Sequence, residues 1–96
     1  MNRTTTLQLL TEHKKVLTQR FGVARLALFG SVVREAASAG CDVDVLVAFD
    51  GPATSARYFG VQFYLEDLLG CTVDLVTEKA LRPELRPFIE KEAVHV

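Results

Sequence analysis

The chain has 96 residues, enough for one small core and too few for two. Eleven Lys and Arg against twelve Asp and Glu leave a net charge of −1, which disfavours a dedicated nucleic-acid-coating protein and its excess of basic charge. Apolar residues make up 49%, the composition of a folded domain, yet the longest apolar runs fall far short of a bilayer span.

Residues 4–21 read as a helix, with Thr4 to Thr6 offering cap hydroxyls and Leu7, Leu10, Leu17 and Phe21 on one face. Gly22 is the expected stop. Residues 24–29 form a strand that breaks at Gly30-Ser31, with a short helix over 32–37 and a turn at 38–40. Residues 43–49 form a second strand, ended by Asp50-Gly51-Pro52. Residues 55–69 form a second long helix, with Tyr58, Val61, Leu65 and Leu68 at helical spacing and Gly70 closing it. Residues 72–77 are a third strand. Pro83 and Pro87 punctuate a short helical region, and Val94 to Val96 form a final edge strand. The expected fold class is therefore α/β: a small mixed sheet packed by helices, in one domain over 1–96.

The second strand departs from plain core. Side chains alternate along a strand, so Asp42 and Asp44 share one face while Val43, Val45 and Val47 share the other. Two ionised carboxylates roughly 5 Å apart repel by about 3 kcal/mol at an effective dielectric near 20. A strand this apolar needs something to offset that repulsion. A single Asp at a loop boundary would read as a solubilising edge charge. An Asp-x-Asp with a third acid, Asp74, in the next apolar strand reads as a divalent cation site, and hard oxygen donors select Mg²⁺ or Mn²⁺. Upstream, Gly30 permits close approach of a ligand, and the Ser31 hydroxyl with neighbouring amides forms an anion-binding concavity. Such turns are common, and the chain has neither a P-loop nor a dinucleotide-binding glycine fingerprint.

Together these residues spell Gly30-Ser31, ten intervening residues, then Asp42-x-Asp44, followed by the separate Asp74. This resembles the signature of the DNA polymerase beta-like nucleotidyltransferases, in their smallest branch, the minimal nucleotidyltransferases (MNT). The resemblance extends from Leu26 through Arg34, the Asp-Val-Asp-Val-Leu-Val strand, Leu68-Leu69-Gly70, Val73-Asp74-Leu75-Val76 and the closing Glu92-Ala93-Val94. Cys41 stands where relatives often carry serine, and Val32-Val33 is more apolar than usual after the Gly-Ser.

The resemblance implies a palm-type fold and transfer of a nucleoside monophosphate, AMP from ATP, to an acceptor hydroxyl. Asp42 and Asp44 would hold Mg²⁺, with Mn²⁺ the alternative. Asp74 would complete a second metal position or take the proton of the attacking hydroxyl. Gly30 and Ser31 would hold the β- and γ-phosphates. Arg34 either reaches the same phosphates or is a solvated helix charge.

MNT proteins pair with HEPN-domain toxins, so the implied acceptor is a HEPN tyrosine and the implied role is antitoxin. Two alternatives stand beside it: an antitoxin that acts by binding alone, and an aminoglycoside-type enzyme for small molecules. Tyr58, Phe59, Phe63 and Tyr64 put aromatics on more than one face of the 55–69 helix, as core or as a partner surface in a homo- or hetero-oligomer. Cys41 and Cys71 read as reduced thiols, and His13 and His95 as ordinary surface or edge residues. Arg82 and Arg86 read as solvent-facing, with nucleotide or partner contact as the alternative. Without a signal-peptide apolar segment, the expected location is cytoplasmic, with no membrane or direct nucleic-acid contact.

Overall fold

The structure is a computed structural model, and it describes residues 2–34 and 42–96. In chain order it comprises α1 (Arg3–Phe21), β1 (Val23–Phe29), α2 (Ser31–Arg34), β2 (Val43–Phe49), α3 (Ser55–Leu69), β3 (Val73–Thr77), a helical turn at Glu78–Ala80, α4 (Arg86–Glu92) and β4 (Val94–His95). The far half of the helix expected over 32–37, the turn at 38–40 and Cys41 lie outside the described residues.

The strands form one sheet in the order β3-β2-β1-β4. β1 runs antiparallel to β2 and β4, whereas β2 and β3 run parallel, with α3 as their crossover. The mixed sheet follows from connection length, since a parallel return needs a crossover of a dozen or more residues and α3 supplies it.

α1 and α3 cover one face of the sheet. Leu10, Leu17, Val61 and Leu65 are fully buried there against Val43, Val45, Val47, Leu26 and Leu28. α1 is capped by Asn2, whose side chain accepts from the Thr5 amide at 2.7 Å, rather than by a hydroxyl of Thr4 to Thr6. Thr6 is instead fully buried, its hydroxyl donating to the Asn2 carbonyl. In α3, Leu69 is buried and Leu68 only partly so, one position on from the expected stripe. Tyr58 and Tyr64 turn inward: the Tyr58 hydroxyl donates to the Leu75 carbonyl at 2.6 Å. Phe59 and Phe63 stack on each other on the outer side.

The opposite face has a thinner cover. Ala27, Phe29, Leu46 and Leu81 are buried there, with Ile89 and Ala93 of the α4 region packed against them. Asp44 shares this face with Leu46 by strand parity.

Three expectations about individual residues need correction. Cys71 is disulfide-bonded, not a reduced thiol. His13 is no ordinary surface residue, because its Nδ1 lies 2.7 Å from the Tyr64 hydroxyl in a half-buried contact between α1 and α3. Arg86 does not face open solvent alone: it donates to the Glu78 carbonyl at 2.7 Å and lines a hollow with Arg25, Glu78 and Lys79. That hollow follows the C-terminal end of β3, whereas Asp74 sits near its beginning.

Candidate active site

The acidic residues reach one place because of strand register. In the parallel pair Asp44 lies opposite Asp74, and in the antiparallel pair Asp44 lies opposite Phe29, the residue before Gly30. Asp42 immediately precedes β2, two residues from Asp44 and on the same face. The hydrophobic alternation enforces this arrangement. Val43, Val45, Val73 and Leu75 are buried against the helices, so the residues between them must turn the other way.

Asp44 is the half-buried member, while Asp42 and Asp74 are exposed. Its surroundings push its carboxyl above the ordinary carboxylate range. Burial is the main cause, followed by the charges of Asp74 and Asp42 and a hydrogen bond with the Asp74 carboxyl. Arg34 pulls in the other direction.

Among the described residues no three such side chains form a finished ligand cage. The donor set nevertheless suits Mg²⁺ or Mn²⁺: three oxygen-donor carboxylates, two of them solvent-accessible, with Asp44 destabilised as an anion by the other two.

Gly30 forms the wall beside Asp44. It is buried, with φ of +80°, and a Cβ there would stand 2.0 Å from Asp44 Oδ2. Only glycine fits, because both the backbone angle and the contact exclude a side chain. The turn therefore seats the Asp44 carboxylate directly against the backbone that leads into α2. Ser31 is the first residue of α2 and is half-buried. Arg34 ends that helix and lies in the field of Asp44, so it belongs to the same cluster.

One participant had no assigned role in the sequence. Glu92, at the end of α4, accepts from the Gly30 amide at 3.3 Å and forms an ion pair with Arg34. It is 62 residues from Gly30 in sequence, so no local spacing links the two. Arg82 is exposed and joins no part of the cluster by a described hydrogen bond or ion pair.

Residues 10–96 match the nucleotidyltransferase domain family. The chain belongs to the nucleotidyltransferases. The protein adenylyltransferase MntA of Thermococcus cleftensis is 41% identical over 88 residues, covering 92% of this chain and 89% of the relative. A solved structure of a "putative minimal nucleotidyltransferase" superposes with a TM-score of 0.80 at 38% identity, covering 98% of this chain and 95% of that one. The same fold occurs in the MNT antitoxin complexed with the tri-AMPylated HEPN toxin of Shewanella oneidensis. There the TM-score is 0.69 at 18% identity, covering 94% of this chain and 70% of that one. This nucleotidyltransferase is thus an MNT-type enzyme in sequence and fold. Among the described residues, none of its helices is long and apolar enough to cross a membrane.

Proposed function

We propose that this nucleotidyltransferase is a Mg²⁺-dependent protein adenylyltransferase. It moves AMP from ATP to a hydroxyl, a tyrosine, of a HEPN-domain toxin, and so acts as that toxin's cytoplasmic antitoxin. The observation that carries the reading is the packing of the Asp44 carboxylate between the Gly30 turn and Asp74. It sets a cation-binding acid against the backbone that would receive the triphosphate. The MntA relative supports AMP as the group transferred.

In the reaction the acceptor oxygen attacks the α-phosphorus, the bond from that phosphorus to the β-bridging oxygen breaks, and pyrophosphate leaves. Mg²⁺, when bound, supplies charge neutralisation for the triphosphate and the departing pyrophosphate. Asp42 and Asp44 are the residues that would hold it. Asp74, on a separate strand and exposed to solvent, would complete a second metal position or take the proton lost by the attacking hydroxyl. Gly30 and Ser31 would hold the β- and γ-phosphates, with Arg34 beside them. A site of this kind works by positioning and charge neutralisation, and the protein performs no covalent step of its own.

The relatives named as protein adenylyltransferases favour a protein acceptor over an aminoglycoside-type one. The stacked, exposed Phe59 and Phe63 offer contact area for such a partner. The test is to purify the candidate toxin with wild-type protein and with Asp74→Asn, add ATP and Mg²⁺, and read intact masses. An AMP adduct on the toxin with wild type alone is the expected result. Silencing of the toxin by both proteins without any mass gain would establish neutralisation by binding and overturn the catalytic reading.

A further inference from the structure

Glu92 joins two donors that the proposed function assigns to the nucleotide. Its Oε2 accepts from the Gly30 amide and its Oε1 from the Arg34 guanidinium. A carboxylate bridging a main-chain amide and a guanidinium uses the same contacts as a phosphate bearing two anionic oxygens. The two ends of this bridge differ in freedom. The Glu92 side chain is only 20% exposed, and α4 is fixed by the packing of Ile89 and Ala93 against the Phe29 cluster. Arg34 is 61% exposed and ends a helix of four residues. The pair is thus anchored on the acid and loose on the cation, and an ion pair with so exposed a partner is weak.

We propose that Glu92 is a stand-in for phosphate: its carboxylate holds the Gly30 amide and Arg34 in place until the triphosphate displaces it, and this competition sets the affinity for nucleotide. The inference rests on the nucleotide-binding reading above. It makes Glu92 a positioning residue and gives Arg34 a definite exchange of partners, from carboxylate to phosphate. It also explains a fourth acid next to three aspartates at a site for a polyanion. Alone, that acid would only repel the substrate, but paired it keeps the donors oriented and the cation from collapsing onto Asp44.

The test compares wild type, Glu92→Gln and Glu92→Ala by calorimetric titration with three probes: AMP-PNP with Mg²⁺, tripolyphosphate with Mg²⁺, and adenosine. Removing the competing charge should tighten both polyphosphate ligands by about fivefold, the factor that matches a weak exposed pair. Adenosine binding should stay unchanged. Circular dichroism confirms that each variant is folded, and the alanine variant separates loss of charge from any new contact made by the glutamine. Equal or weaker polyphosphate binding by both folded variants overturns this inference and leaves the proposed function standing. Failure of wild type and variants alike to bind AMP-PNP overturns the proposed function and the inference together.

Discussion

Asp44→Asn should stabilise the metal-free protein while abolishing its chemistry. Asp44 is half-buried, faces Asp74 across a parallel strand pair and lies two residues from Asp42. Neighbouring strands are about 4.8 Å apart, so in-register carboxylates stand close together. At an effective dielectric near 20 their repulsion is about 3 kcal/mol. Asp42 and Asp74 are open to water and Arg34 offsets part of the field, which brings the net gain nearer to 1 kcal/mol. For a domain of this length that raises Tm by about 4–8 °C.

The sign of the pH dependence follows from the same cause. Asp44 binds its proton more tightly in the folded protein than in the unfolded chain. Stability from this group is therefore fully present below the ordinary carboxylate value and is lost as pH rises through the raised one. The gap between variant and wild type should be open at neutral pH and close on acidification. The assay is thermal denaturation in chelator-treated buffer across that range, repeated with Mg²⁺ and ATP. The ligands should raise the wild-type Tm by mass action and leave the variant nearly unmoved. A variant that melts at or below the wild-type temperature at neutral pH, or a gap that persists unchanged in acid, would refute the reasoning.

Ser31→Ala should lower the AMP-transfer rate by about ten- to a hundredfold, the value of one charge-assisted hydrogen bond, with an unchanged melting curve. Wild-type rates would assign the hydroxyl a purely structural role. Gly30→Ala should abolish transfer and cost at least about 1–2 kcal/mol from its left-handed backbone alone, read as a lower denaturation midpoint. An active, equally stable alanine variant would contradict the contact with Asp44. Tyr58→Phe removes the bond to the Leu75 carbonyl and should cost about 1 kcal/mol while sparing transfer. Loss of transfer at unchanged stability would place Tyr58 in the site.

Much of this was legible in the chain because the two periodicities are clean. Alternating valines fix β2 and β3 to within a residue, and that alternation carries Asp44 and Asp74 to a common face. Gly22 and Gly70 end α1 and α3 as expected. What was not legible depends on contacts distant in sequence. Nothing near Glu92 indicates that it will meet Gly30 and Arg34, since that meeting needs α4 to fold over the Phe29 face and β4 to pair with β1 at Ala27 and Leu28. The bond from Arg86 to the Glu78 carbonyl was illegible for a related reason, since it needs the chain after β3 to turn back on itself. Asn2 was overlooked because three threonines beside it offered equally good caps.

The pairing of Asp44 with Asp74 through the parallel β2–β3 register has a consequence for folding fidelity. β3 is an edge strand whose one neighbour among the described residues is β2, so its register rests on that pairing and on its buried face. A slip of one residue would drive Asp74 among Leu65, Leu69 and Val61 and push Val73 and Leu75 into water. Burial of an unpaired carboxylate makes that error costly. The apolar face thus proofreads the polar one: a molecule that has packed its helices correctly has also aligned its acids.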